Sequence, residues 1–175
     1  LTNLDNSAYP KSRLWLNLTS SQGYFSQLLL AYVDAATNEK DHLWDALYLN
    51  GGQNPIGFYS HINDEKFTIN AQSNQTAAKF LLGYTSKLNT EFTIALEKGD
   101  GFFENIESIY LKDLATGIEH NLKKSPYTFI GTKGDFDKRF ELSFVPEALN
   151  ADVLEVPEVS ISTVRDATGL QLISE

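Results

Sequence analysis

The sequence predicts an all-β chain, an antiparallel β-sandwich of jelly-roll type with little helix. Apolar and polar residues alternate with period two along most of its length, which is the pattern of half-buried strands. Clusters of Gly, Asn, Asp and Ser separate those runs at regular spacing, and no long helical stripe lies between them, which favours a sandwich over a parallel α/β sheet.

The first strand shows the alternation clearly: Leu14, Leu16 and Leu18 take one face, and Arg13, Trp15 and Asn17 the other. Further strands are predicted over 24–33, 43–49, 57–62, 66–71, 79–84, 91–97, 108–114, 118–122, 127–130 and 139–145, all rich in the β-branched and aromatic residues that suit a pleated surface. Turns are expected at 20–23, 50–52, 63–64, 98–101, 115–117 and 133–135. Helix is confined to two short candidates, 38–45 and a turn at 74–78. The run IYLKDLATGIEHNL, 109–122, reads as a hairpin, because two alternating segments flank a short loop containing Gly117. After it, Tyr127 and Phe129 share a face, as do Phe140, Leu142 and Phe144; burial is the ordinary fate of such rows.

Three units are expected along the chain: a sandwich over 1–145, an acidic linker with two prolines over 146–158, and a hairpin over 159–175 that opens a further β domain. Lacking Met, the chain reads as a piece of something longer.

Composition excludes several classes of function. At 42% hydrophobic and 21% charged the chain is globular rather than disordered. A net charge of −9 repels nucleic acid and anionic membranes. No apolar stretch is long enough for a membrane helix, so no membrane insertion is expected. With no Cys there are no disulfides, no thiolate-bound metals and no thiol nucleophile. The three histidines, His42, His61 and His120, do not have the spacing of a shared zinc site, and the nucleophile-elbow, dinucleotide and P-loop motifs are missing. Twenty-three acidic residues always allow a catalytic pair, but Glu97, Glu104, Glu107 and Glu119 sit beside strands and turns where solvated carboxylates are the rule. The expectation is therefore a chain that is not an enzyme.

Loop 37–52 is the segment with most chemistry. Asp34, Asp41 and Asp45 are the candidate oxygen ligands for calcium, although the loop lacks the EF-hand pattern and the same carboxylates equally suit turn or helix caps. Trp44, Tyr48 and Tyr59 are the candidate ligand-binding residues, as a platform on which a sugar ring would stack; the plain alternative for Trp15 and Trp44 is the core. Apart from calcium, no cofactor is expected.

The segment from Ile109 to Val145 resembles the module that precedes the C-terminal sorting domain in cargo proteins of the bacterial type IX secretion system. The likeness rests on Tyr110, Leu111 and Asp113, then Thr116 and Gly117, then His120, Asn121 and Leu122, then Ser125, Pro126, Tyr127 and Phe129, and last Gly134, Phe136, Arg139, Phe140 and Leu142. Upstream, RLWLNL, the Ala36–Asn38 loop and INDEKFTINA are similar, so most of 12–145 is covered; the loop after Asn38 departs in lacking Gly beside its acids. The tail VSISTVRDATGLQLISE looks like the first hairpin of the sorting domain itself. The resemblance implies export or display at the outer cell surface, with the translocon components as partners of the C-terminal segment. It implies a route and not a reaction. The expectation for the module itself is an accessory role as spacer and as an adhesive or ligand-binding surface for a glycan or cell-surface ligand; the alternative is a carbohydrate-binding module of a secreted polysaccharide-degrading enzyme.

Overall fold

The computed structural model describes residues 11–50, 52–73, 79–144, 162–166 and 169–173. In chain order the elements are β1 (Lys11–Ser20), β2 (Phe25–Val33), β3 (Ala46–Leu47), β4 (Ile56–Ile62), β5 (Glu65–Gln72), β6 (Phe80–Ser86), β7 (Thr90–Gly99), α1 (Phe102–Asn105), β8 (Tyr110–Asp113), β9 (Ile118–Asn121), β10 (Tyr127–Gly131), β11 (Gly134–Ser143), β12 (Ser162–Asp166) and β13 (Gly169–Ile173). The chain is all-β, as expected.

Strands β1 to β11 form one mostly antiparallel sheet in the order β10-β7-β1-β2-β5-β4-β6-β11-β8-β9, curled nearly into a barrel, with β3 attached to β5. The join between its two halves is β5. Ile69 pairs with both Leu29 and Ala46, and Phe67 with both Ser60 and Leu47. A strand has only two edges, so β3 takes one, while β2 and β4 share successive stretches of the other. β2 runs parallel to β5 and β4 antiparallel to it. On the opposite side the terminal strands β9 and β10 have no backbone pairing with one another, so the sandwich is closed along one side and open along the other.

Period-two alternation fills the space between the layers. Leu14, Leu16 and Leu18 are 0% exposed and pack with Phe92, Ile94, Phe58, Leu82, Phe140 and Leu142. Each such side chain contributes about 1.5–3 kcal/mol through burial. At the centre the Tyr84 ring stacks on Phe136 at 4.7 Å and meets Phe129 edge-on at 5.3 Å. Tyr127, Phe129 and Phe144 belong to the same core.

The 109–122 hairpin forms as β8 and β9, with Asp113 opposite Ile118. Gly117, at φ 74°, turns the chain back and donates its N–H to the Asp113 carbonyl at 2.7 Å. The Asp113 carboxylate accepts the Ala115 N–H at 3.0 Å in the same turn.

Two local expectations are corrected. Residues 38–45 make no α-helix, and the strand expected over 43–49 shrinks to β3. The cause is a single turn: Asp45 N–H reaches the Asp41 carbonyl at 2.8 Å, while the Asp41 side chain accepts Leu43 N–H at 3.0 Å. Side-chain bonds of this kind compete with helix continuation. Helix instead appears at α1, four residues long, in a stretch that reads as a turn followed by aromatics. Phe102 and Phe103 close the end of the sandwich there, with Phe103 stacked 5.1 Å from Tyr32, and Ser12 Oγ accepts the Phe102 N–H. The candidate turn at 74–78 and the linker at 146–158 lie outside the described residues. Within the expected terminal hairpin, β12 pairs antiparallel with β13 from Ser162 opposite Ile173 to Asp166 opposite Gly169.

Candidate functional site

Loop 34–50 follows β2 and contains β3, which pairs along one edge of β5. Its position is set by Asp45. One carboxylate oxygen accepts Ala71 N–H at 2.8 Å and the other accepts Asp41 N–H at 2.7 Å, so this side chain ties the loop to the end of β5. Burial pushes the Asp45 carboxyl above the usual range, the two backbone bonds oppose that, and the Asp41 charge adds to it. Nearby, Lys40 pairs with Glu65 at 2.6 Å, and Asn63 donates to Glu39 at 3.0 Å. Trp44 is half-buried against a small apolar cluster of Ala31, Val33, Ala36 and Ala71.

Under this loop is a cleft of about 370 Å³ lined by Lys40, Asp41, His42, Asp45, Ala46, Leu47, Leu49 and Phe67. Two of its lining leucines are open to solvent, Leu49 at 83% and Leu47 at 44%, and Leu43 of the same loop is 86% exposed. Exposed leucines therefore lie beside Lys40, Asp41 and Asp45 at this concavity.

The sequence-predicted residues fall into different places. Asp34 is exposed, and Asp41 and Asp45 are engaged by backbone N–H groups; among the described residues no three His, Asp or Glu side chains gather as cation ligands. Both carboxylates thus accept backbone N–H groups, Asp41 from Leu43 and Asp45 from Asp41 and Ala71. Tyr48 and Tyr59 do come together, with ring centroids 4.9 Å apart, but Tyr59 is 0% exposed and Trp44 sits on its own cluster. The three aromatics do not form one exposed row.

Around Tyr59 lies a polar cluster that no local pattern in the sequence signals, since its members come from three strands. Tyr59 donates to Asp137 Oδ1 at 2.7 Å, Lys66 Nζ is 2.7 Å from the same oxygen, and the lysine stands 4.6 Å over the Tyr59 ring. A break in register between Phe136 and Phe140, a β-bulge, aims Asp137 into the cluster. Burial works against ionisation of Asp137, yet hydrogen bonds from Lys66 and Tyr59 hold its carboxyl below the usual range. His61, opposite Lys66, is buried, and neither ring nitrogen has a hydrogen-bond partner among the described residues. Burial pushes its pKa down, so it is neutral at neutral pH.

A second charged group lies inside the sandwich. Asp113, 0% exposed, receives Arg139 through Nε at 3.1 Å and the NH2 nitrogen at 2.8 Å, and Arg139 also donates to Tyr84 at 3.1 Å. Burial alone would raise the Asp113 carboxyl; the bonds from Arg139, Ala115 and Tyr127 outweigh it and leave the pKa lowered.

A family model described as Domain of unknown function (DUF8693) matches residues 2–144. The chain belongs to that family. Nothing among curated proteins or solved structures matches it. The DUF8693 match takes in every strand from β1 to β11, whereas the β12–β13 hairpin lies beyond it. Within the DUF8693 module, Asp113, Tyr127 and Arg139 are three of the residues that carry the sequence resemblance described above, and they converge in the buried network. The leucine rim was present in the sequence as the run LWDALYL, whose alternation reads as an ordinary half-buried strand.

Proposed function

We propose that this chain is a non-catalytic accessory module of a secreted or surface-attached cargo protein of the type IX route. In this reading the leucine-rimmed cleft is its contact surface, and the C-terminal segment is the part read by the translocon. The observation that carries the binding role is the contrast between charge and exposure. Asp45, Asp113 and Asp137 spend their oxygens on backbone, arginine, lysine and tyrosine donors, while exposed apolar area is offered by Leu47 and Leu49 at the cleft and by Leu43 in the same loop. A reaction centre needs groups free to meet a substrate; a docking surface needs desolvatable apolar area. The export route is supported by the motif likeness over 109–142 and by the separate β-hairpin after it.

The test has two arms. The labelled chain should bind saturably to intact cell surfaces, and Leu43→Asp with Leu49→Asp should abolish that binding with the melting temperature unchanged; antibodies to the module should find it at the surface or in the medium of the producing cells. Turnover of a chromogenic glycoside, ester or peptide that disappears in Asp41→Asn or Asp137→Asn would overturn the non-catalytic reading, and confinement to the cytoplasm would overturn the route.

A further inference from the structure

The solvent face of β1 and its neighbours is built differently from the cleft. Leu14, Leu16 and Leu18 point inward at 0% exposure, so Trp15, Asn17 and Thr19 point out. Residues paired across a ladder share a face. Trp15 therefore stands in a row with Leu29 and Lys98, Asn17 in a row with Gln27, and Thr19 in a row with Thr93, which itself pairs with Thr128. The three threonines come from three adjacent strands, about 4.8 Å apart. Gln27 donates to Asn17 at 2.9 Å, Asn17 donates to Glu97 at 2.7 Å, and the Thr93 and Thr128 hydroxyls are 3.3 Å apart.

We infer that this face is a binding site for a neutral polysaccharide chain, with Trp15 stacking on a sugar ring and the Asn17–Gln27 and threonine rows meeting its hydroxyls. This rests on the reading of the chain as a non-catalytic binding module, and it assigns that module a second surface. Three features support it. The half-buried Trp15 indole on this polar face offers the apolar part of its ring to the C–H face of a pyranose. Amide and hydroxyl side chains, each able to donate and accept, match the paired hydroxyls of a sugar. The local charges also cancel: Arg13 is neutralised by Asp100, whose oxygens take its backbone N–H at 2.7 Å and its Nε at 2.9 Å, and Lys98 stands beside Glu97. A charged glycan gains nothing from such a field, and on a chain of net charge −9 an anionic one is repelled. Two cations stand over the Trp15 ring, Lys98 Nζ at 4.2 Å and Arg13 Cζ at 5.0 Å; Arg13 is held by Asp100, and Lys98, exposed on a flexible stem, is the one that moves aside for the sugar.

Native affinity electrophoresis of the whole chain tests this, in gels containing xyloglucan, laminarin or galactomannan, with carboxymethylcellulose as the anionic control. Retardation is expected in at least one neutral gel, with the dissociation constant rising about tenfold or more in Trp15→Ala. Should Trp15→Ala fail to fold, Asn17→Ala with Gln27→Ala, at polar positions on the solvent face, must produce the loss. No retardation in any neutral gel overturns the inference, as does binding that survives the variants or that appears only with carboxymethylcellulose and depends on Lys98. If that happens while the Leu43 and Leu49 variants still abolish cell binding, the second surface fails and the module reading stands.

Discussion

The Tyr127 hydroxyl donates to Asp113 Oδ2 at 3.0 Å across the side of the sandwich where β9 and β10 share no backbone bonds. A side chain from β10 thus holds β8 where the ladder is interrupted, and Arg139, only 12% exposed, completes the link on the Asp113 carboxylate. Breaking a buried pair leaves one uncompensated charge. Asp113→Ala and Arg139→Met should each lower stability by about 3–5 kcal/mol, and the double variant by less than their sum. Tyr127→Phe should cost about 1.5–3 kcal/mol. Urea unfolding midpoints read all four.

Acid should reveal the same carboxylate. The folded pKa of Asp113 is depressed, so its stabilising contribution is fully present above the unfolded-state value of about 3.9 and is lost as pH falls through the lower folded value. Urea midpoints taken from pH 5 downward should fall more steeply for the native chain than for Asp113→Asn. Equal slopes would mean that the carboxylate is not held by Arg139 in solution.

His61 predicts a second, milder window. It faces Asp137 at 3.8 Å, Lys66, Lys138 and Asp64, and burial dominates in lowering its pKa. The unfolded chain takes up a proton near pH 6.5 while the folded chain does not, so stability should decline from about pH 6.5 down to the folded value. His61→Phe, which keeps a ring beside Tyr59, should flatten that part of the curve; an unchanged slope between pH 7 and pH 5 would refute the assignment.

Gly57 is required by Tyr48. A Cβ there would run into the Tyr48 hydroxyl and ring, so Gly57→Ala should destabilise the chain by about 1–3 kcal/mol. Tyr48→Ala in the same chain should recover part of that loss. Near-ultraviolet circular dichroism of the Tyr48–Tyr59 pair checks the local change.

Asp45→Ala should release the loop without unfolding the sheet. It removes the acceptor for Ala71 and Asp41 N–H groups, a loss of about 1–3 kcal/mol for groups left unpaired. Hydrogen exchange should accelerate at Ala71 and across the loop, while amides in β1 and β7 stay protected. Uniform acceleration would show that Asp45 supports the whole sandwich instead.

Much of the fold was legible because period-two alternation reports directly on a two-layer core. Leu14, Leu16 and Leu18 declared their face, and the β8–β9 hairpin declared its turn through Gly117. The short helix expected at 38–45 failed because Asp41 and Asp45 are bonded to backbone from their own side chains, a competition that propensity does not express. Of the candidate site, the loop was found but not its character. Asp41 and Asp45 draw the eye for their charge, and what the alternation does not show is that they accept backbone N–H groups, while Leu43 and Leu49 look like core and are exposed. Tyr59, His61, Lys66 and Asp137 meet only after β4, β5 and β11 have assembled, so no local spacing announces them.

The way β5 divides one edge between β2 and β4 bears on how the chain folds. Hairpins such as β8–β9 and β4–β5 close over short loops, but the parallel contact of Leu29 with Ile69 must wait until the chain between them has been gathered in. Long closures of that kind are slow because their entropy is lost before any contact repays it. The two layers should therefore acquire structure early and unite late, and amides along the β2–β5 seam should be among the last to gain protection during refolding.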